Sequence, residues 1–327
     1  MTSPINTLWE RAGQAVKPRP AGHAVKPRPG AAAARRPPAV LRGSSWLPWM
    51  FLAPALLFAA VFKFIPMVEG IRMSLYKVQP FLGNEWVGLQ NYATVLTDQR
   101  FLDALGHTLV LGVGQTVGAL VVGFGLALLL EGQARSLWVL RTAVFLPVVT
   151  AVAVIGEVWR ILYFPTDAGF VNQILATFGL GPFSFLSSPD SALGSVMAVG
   201  IWSGAPYDMV IILAGLAGID RTLYEAAAVD GVNRRQRLRH IVLPGLRPAL
   251  TVVLTLAAIR GLRIFTEVYV LTGGGPAGST EVWMTRVYSL GFERNDLGVA
   301  SAASMLLLFV TALLTIAVRL ITRRREA

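Results

Sequence analysis

Charged side chains occur within two stretches of this chain that are otherwise apolar enough to cross a membrane. Arg260, Arg263 and Glu267 are spaced three and four residues apart, which predicts that they share one face of a helix. Asp208 lies in an earlier apolar stretch at a comparable, outward depth. A charge at the bilayer centre costs about 2.5–3.5 kcal/mol on insertion scales, so such residues normally face a cavity or a partner.

Two interpretations of these charges stay open. In the first, they line a solute pathway, because Trp and Tyr faces stack on sugar rings while carboxylates and guanidinium groups bond to hydroxyls. The candidate pathway residues are Trp202, Tyr207, Asp208, Arg260 and Glu267. In the second, the charges form an ion-pair network, such as Asp208 with Arg260, that fastens two helices together.

Several kinds of catalytic site are excluded or disfavoured by the residue types. The absence of cysteine rules out disulfides and thiolate sites, and three histidines without an HExxH pattern argue against metal-dependent hydrolysis. The glycines 273–275 lack the GxxxxGK[ST] pattern of a nucleotide loop, so they predict a flexible turn instead. We therefore expect no catalytic residue, no metal site and no cofactor in this chain, and no hydrolysis of ATP by it.

The composition indicates a membrane protein of the all-α class. Of 327 residues, 54% are hydrophobic and 14% are charged, whereas soluble domains carry about 25% charged residues. Since about 20 apolar residues cross the hydrocarbon core as a helix, the sequence predicts a membrane domain over residues 44–323 with six transmembrane helices. The predicted spans are 44–67, 104–130, 137–164, 191–217, 248–271 and 297–318. Gly114 and Gly118 form a GxxxG pattern, which predicts close packing of the second span against a neighbour.

Basic residues predict the orientation of these spans. They concentrate in residues 1–43, in alternate loops and after the last span, and cytoplasmic loops retain Lys and Arg. Both termini are therefore expected in the cytoplasm. Residues 1–43 contain "AVKPRP" twice, and their proline content and low apolar content predict a disordered basic tail. The net charge of +11 follows this topology and does not indicate a nucleic-acid partner.

A charged insert over residues 220–247 separates the fourth and fifth spans on the predicted cytoplasmic side. Thr222 is expected to cap a short helix, and Gly231 to end it with a sharp turn. A second, basic helix is expected to about His240, before Pro244 and Pro248 interrupt the chain. Such a helix–turn–helix suits contact with a soluble partner. The alternative is an interfacial helix whose arginines contact lipid phosphates.

The insert matches the EAA signature of ABC importer permeases at every fixed position. The matching elements are Glu225-Ala226-Ala227, three residues, Gly231, nine residues, Ile241, one residue, and Leu243-Pro244. The chain therefore resembles the inner-membrane components of binding-protein-dependent transport, with their MetI-like permease fold. The resemblance implies a coupling helix that docks on a cytoplasmic ATPase. The residues implied in coupling are Glu225, Ala226, Ala227, Asp230, Gly231, Leu243 and Pro244.

Further motifs resemble the first permease of carbohydrate-type importers, the maltose, trehalose and glycerol-phosphate group. They are "GFVNQIL" at 169–175, "LAGL" at 213–216, "LYEAAAVDG" at 223–231, "FTEVYVLTGGGPAGST" at 265–280 and "LGVASAASMLLLF" at 297–309. Together they cover about residues 46–323. The chain departs from the pattern at Thr266, where the family often has Asp, and at Asp220, where it commonly has Pro.

The resemblance implies an assembly in a bacterial plasma membrane. The expected partners are a second homologous permease, two ATPase subunits that hold ATP and Mg²⁺, an extracytoplasmic solute-binding protein, and membrane lipid. A neutral oligosaccharide and a glycerol-phosphate-like anion both remain open as the solute. A secondary transporter without an ATPase is the alternative function, although the sequence lacks convincing inverted repeats.

Overall fold

The computed structural model describes residues 46–79, 83–132 and 134–326. These residues belong to two compact units, one ending at Ala59 and the other beginning at Ala60. Helices make up most of the described residues, and the only strands among them are the two-residue pair β1 (Tyr76–Lys77) and β2 (Glu85–Trp86). These strands are antiparallel, with Tyr76 opposite Trp86 and Lys77 opposite Glu85. The tail predicted for residues 1–43 lies outside the described residues.

Fifteen α-helices follow one another along the described chain. The first eight are α1 (Leu47–Ala59), α2 (Ile65–Met73), α3 (Gln90–Thr97), α4 (Gln99–Leu129), α5 (Arg135–Val149), α6 (Val152–Leu162), α7 (Phe170–Ala176) and α8 (Pro189–Ala217). The remaining seven are α9 (Arg221–Val229), α10 (Arg234–Arg237), α11 (Leu243–Gly245), α12 (Arg247–Leu262), α13 (Thr266–Leu271), α14 (Trp283–Tyr288) and α15 (Leu297–Glu326). Short π-helical segments occur at Ala60–Phe64, Leu238–Val242 and Ser289–Glu293, and a 3-10 turn at Phe185–Ser187.

The helices confirm the all-α membrane class. Four apolar helical stretches in the described chain are long enough to cross a membrane: Pro48–Met73, Gln99–Leu129, Pro189–Ala217 and Leu297–Ala317. Two bent pairs, α5 with α6 and the stretch Arg234–Gly245 with α12, raise the number to six if each pair is one span. The first stretch continues to Met73, six residues past the predicted end, and the exposed Glu69–Arg72 pair lies in its last turns at 3.7 Å.

Helices α4 and α8 pack closely at the centre of the second unit. A Cβ atom at Gly114 or Gly118 would overlap the side chain of Met197 or Ile201, and one at Gly123 would lie 2.6 Å from the backbone oxygen of Ala205. Small residues allow two helix backbones to approach where lipid offers no hydrophobic driving force for association. The GxxxG prediction is therefore confirmed.

The third predicted span is divided in two. Helices α5 and α6 meet at an angle of 100°, and Thr150 and Ala151 between them have extended backbone. Pro147 lies three residues before this break and lacks the N–H that would continue the helical ladder. Hydropathy across residues 137–164 gave no sign of the break because both halves are apolar.

The fifth predicted span is also interrupted, which corrects the expected arrangement of its charges. Helix α12 ends at Leu262, and α13 begins only at Thr266. Phe265 has φ −145° and ψ −61°, outside the helical region. Arg260 therefore belongs to one helix and Glu267 to the next, with Arg263 between them. The prediction that these three charges share one continuous helical face is wrong.

Candidate functional site

A cavity of about 500 Å³ opens where both broken spans are interrupted. The residues around it come from the middle of α4, from the end of α5 with the break and first turns of α6, from the middle of α8, and from the end of α12 through α13. Backbone without helical hydrogen bonding is tolerated at membrane depth only where it is buried in protein or lines a polar cavity. The two breaks therefore mark the cavity as a place for water or a polar solute.

Asp208 and Arg260 form an ion pair that joins α8 to α12 beside this cavity. The Arg260 Nη2 donates to Asp208 Oδ1 at 2.9 Å, with the Asp208 side chain fully buried and that of Arg260 45% exposed. The guanidinium also lies over the Tyr207 ring, 4.9 Å from its centroid. Arg260 and Tyr207 line the cavity, whereas Asp208 does not line it and contacts Arg260 from the protein interior. The ion pair expected between Asp208 and Arg260 is thus present and joins the two helices, while the role of these residues in a solute pathway stays a prediction.

Two buried polar atoms in this region have no hydrogen-bond partner among the described residues. They are Oδ2 of Asp208 and Nε2 of Gln115. Buried polar atoms are satisfied in most proteins, so orphaned ones point to an unseen water or ligand. Gln115 also lines the cavity. Sequence reasoning missed it, although a glutamine in an apolar span between Gly114 and Thr116 was a usable signal.

Arg263 and Glu267 bring further charge to the cavity wall. Both line it at the break between α12 and α13, and within the described chain neither makes an ion pair within 4.0 Å. Their polar groups are thus available to a solute. Glu267 was among the predicted pathway residues, while Arg263 was recognised only as a charge in the span.

Trp202 lies elsewhere than the other predicted pathway residues. It lines a second cavity of about 540 Å³, together with Trp159 and apolar residues of α4, α5 and α6. Its ring meets that of Trp159 edge-on, with centroids 5.4 Å apart. Trp202 therefore does not line the charged cavity.

The insert between α8 and α12 begins with a capped helix. Asp220, not Thr222, caps α9: its carboxylate accepts from the backbone N–H of Thr222 at 2.9 Å. This contact lowers the pKa of Asp220 below its ordinary value. The cap prediction for Thr222 is wrong because Asp220 precedes it and aspartate is at least as good an N-cap as threonine, so α9 begins at Arg221.

Helix α9 presents most of the predicted coupling residues to solvent. Glu225, Ala226 and Asp230 are exposed, while Ala227 is buried against the core. Gly231 has φ +67° and ends the helix, as predicted. The apolar side chains Leu223 and Val229 are also exposed, Val229 to 89%. Sequence reasoning missed these two, although exposed apolar residues beside a docking signature indicate a contact surface.

The second half of the insert fixes α9 to the membrane helices. Asn233 and Gln236 form a capping box at the start of α10. Arg237 lies 5.8 Å from the centroid of the Tyr224 ring, and burial raises the pKa of Tyr224. Val242 and Leu246 are buried in a core cluster with α4 and α8. Leu243 is exposed and Pro244 is half-buried, both beside this anchor. The insert is thus an exposed helix on a packed base.

The sequence model of the family described as "Binding-protein-dependent transport system inner membrane component" matches residues 39–327. This chain belongs to that family. The permease is 33% identical over 264 residues to the trehalose/maltose transport system permease protein MalF of Thermococcus litoralis, which covers 80% of this chain and 88% of the relative. It is 31% identical over 275 residues to the sn-glycerol-3-phosphate transport system permease protein UgpA of Shigella flexneri, covering 84% and 92%.

A solved structure supports the fold of this permease. The crystal structure of a bacterial ABC transporter involved in the import of the acidic polysaccharide alginate contains a chain that matches with a TM-score of 0.75. The two are 26% identical, and the match covers 85% of this chain and 96% of that one. The MetI-like fold expected from the resemblance is confirmed. The chain is a multi-pass inner-membrane protein and a transport subunit.

Proposed function

We propose that this permease forms half of an intramembrane pathway for a sugar or sugar-like solute in an ATP-driven importer. The similar proteins named above transport trehalose and maltose, sn-glycerol 3-phosphate, or alginate. The cavity at the two helix breaks supplies a polar site of about 500 Å³, within the range of about 300–1,000 Å³ of small-molecule sites. Tyr207, Arg260 and Glu267 line it and are proposed to contact the solute. Asp208 orients Arg260, and Trp202 contributes from the second cavity.

The observation that carries the proposal is helix α9. Its exposed face combines Glu225, Ala226, Val229 and Asp230, and the left-handed turn at Gly231 leads directly back to an anchored base. A rigid exposed helix of this kind transmits movement from a bound subunit to α8 and α12. We propose that α9 docks on a cytoplasmic ATPase and that both termini lie in the cytoplasm.

The proposed assembly contains a second homologous permease, two ATPase subunits and an extracytoplasmic solute-binding protein. ATP and Mg²⁺ bind the ATPases, and this chain needs no cofactor. ATP binding closes the ATPases and moves both docking helices, so the cavity opens outward and receives solute. Hydrolysis then returns it to the inward-open state.

Site-directed crosslinking tests the docking helix. The chain has no cysteine, so single variants such as Val229→Cys and Ala226→Cys report one position each. Both are expected to crosslink to the ATPase in the assembled transporter. The control is Leu89→Cys, another exposed position, on the predicted opposite side of the membrane. Equal crosslinking from all three positions, or none from α9 in a complex that transports solute, would contradict the proposal.

Transport measurements test the coupling itself. Glu225→Ala and Gly231→Val are expected to reduce ATP-driven uptake to background while the binding protein keeps its solute affinity. Gly218→Ala is the matched control, because Gly218 has ordinary helical backbone at the end of α8. Uptake driven by an ion gradient without ATP would favour the secondary-transporter alternative.

A further inference from the structure

Four aromatic rings follow one another from the charged cavity into the connection between α13 and α15. Phe265 stacks on Tyr269 with ring centroids 5.2 Å apart, and Tyr269 meets Tyr288 edge-on at 5.0 Å. Tyr288 stacks on Phe292 at 5.1 Å and also contacts Phe265 at 5.5 Å. We call these four residues the aromatic ladder.

The two ends of the aromatic ladder lie in different surroundings. Phe265 lines the charged cavity at the helix break, close in sequence to Arg263 and Glu267. Phe292, in the π-helical segment after α14, is 74% exposed. Tyr269 is exposed and Tyr288 is half-buried between them. The aromatic ladder therefore forms an unbroken series of ring contacts from the cavity to the exposed surface of the segment between α13 and α15.

Polar groups lie at both ends of the aromatic ladder. Beside the outer ring, Ser289 donates to the Glu293 carboxylate at 2.7 Å. Each end of the ladder thus carries a carboxylate next to a ring, Glu267 at the cavity and Glu293 at the surface. Exposed rings with carboxylates nearby suit a ligand that has a C–H face to stack on the rings and hydroxyl groups to donate to the carboxylates.

We propose that the aromatic ladder is a stacking track for pyranose rings on their way into the cavity. This inference rests on the proposed importer function and narrows its substrate class to a saccharide. The face of an aromatic ring carries negative charge density and attracts C–H groups, and one side of a pyranose ring presents several of them together. Glycerol phosphate is acyclic and offers no such face, so four rings in series would give it no stacking partner.

Saturation-transfer NMR on the assembled permease complex in lipid nanodiscs tests the track. The probes are maltotriose and sn-glycerol 3-phosphate, without binding protein or ATP, and the aromatic protons of the complex are irradiated. Maltotriose is expected to receive magnetisation at its ring protons. Phe292→Leu and Tyr269→Leu should each weaken this transfer by about two- to ten-fold, because each removes one ring contact while keeping an apolar side chain.

Matched variants separate stacking from other effects. Phe292→Tyr keeps the ring and should retain the signal. Phe309→Leu removes another exposed phenylalanine, from α15 outside the ladder, and should leave the signal unchanged. Purification of each variant with its second permease subunit shows that the complex is intact.

Three results would overturn the saccharide track. Unchanged transfer in both leucine variants would mean that the rings contact lipid at the membrane interface. Release of the second permease by Phe292→Leu, with transfer unchanged in the complex that remains, would make the ring a subunit contact. Transfer to sn-glycerol 3-phosphate with the same ring dependence would reject the substrate class. The NMR test measures neither ATPase activity nor transport. Its result therefore bears on the stacking track and leaves the α9 docking proposal to its own experiments.

Discussion

Arg260 and Asp208 connect α12 to α8 through one ion pair of 2.9 Å beside the charged cavity. The two residues differ in burial: the carboxylate is enclosed and the guanidinium reaches the cavity between Asp208 and the Tyr207 ring. The carboxylate therefore depends on Arg260 for its only charged partner within 4.0 Å among the described residues. The cation, in contrast, has a free side towards solute. Asp208 is thus expected to act only through the stability of the pair, whereas Arg260 is expected to contact solute as well.

This inequality predicts different effects for the two single variants. Arg260→Met leaves the Asp208 carboxylate buried without a partner, and we expect a loss of about 3–5 kcal/mol in the free energy of unfolding. The double variant Asp208→Leu with Arg260→Met should recover most of that stability and still fail to transport. Thermal unfolding in nanodiscs and ATP-driven uptake measure the two properties. Recovery of transport by the double variant would show that Arg260 has no contact with solute.

The approach of α4 to α8 predicts a sharp difference between two neighbouring glycines. Gly123→Ala places a Cβ atom 2.6 Å from the backbone oxygen of Ala205, so the helices must separate. Gly125→Ala meets nothing within 4 Å and is the matched control on the same helix. We expect Gly123→Ala to destabilise the permease by about 1–3 kcal/mol, and Gly125→Ala to have little effect on thermal unfolding. Similar melting temperatures for both variants would contradict this packing.

Features that depend on local chemistry were predictable from the sequence. The spacing of Gly114 and Gly118 indicated a close helix contact, and an Asp-Gly after an alanine run indicated the turn at Gly231. The pairing of Asp208 with Arg260 followed from the cost of leaving either charge alone in an apolar environment. In each case the identity and spacing of a few residues are enough to predict the feature.

The helix breaks were not predictable in the same way. The sequence from Leu137 to Phe164 is mostly apolar apart from three charges, and its hydropathy is the same whether the helix is straight or bent. Pro147 alone does not determine a 100° bend, because prolines also occur in nearly straight membrane helices. The break at Phe265 likewise depends on its neighbours in space. Since both breaks line the cavity, the position of the candidate site depended on tertiary structure.

The cap of α9 predicts a pH dependence at the base of the docking helix. The backbone N–H of Thr222 lowers the pKa of Asp220 below the ordinary 3.8. A carboxyl group with a lowered pKa in the folded state stabilises the helix above pH 3.8, and this contribution is lost as the pH falls through the folded pKa. Amide exchange at Thr222, corrected for its intrinsic pH dependence, should therefore accelerate in acid.

Asp220→Asn is the matched control for this titration. Asparagine caps helices about as well as aspartate but does not ionise, so its amide protection at Thr222 should not change with pH over the same range. An acid-induced loss of protection in both proteins would assign the effect to another group.

The ion pairs of Arg286 join the connection before α14 to α4, and they lead to a prediction about stability. Its buried guanidinium lies 3.1 Å from the Asp98 carboxylate at the start of α4 and 3.8 Å from that of Glu281. Arg286→Met removes the shared cation from both carboxylates, and we expect a loss of about 1–3 kcal/mol in the free energy of unfolding because both carboxylates are partly exposed. Asp98→Asn should cost less because Asn keeps the helix cap, and Glu281→Gln should cost least because its contact with Arg286 is longest.

Thermal unfolding of the three variants tests this order. The control is Arg72→Met, which breaks an exposed pair worth about 0–1 kcal/mol. If Glu281→Gln proved the most damaging, the longer contact would be the one that holds the connection.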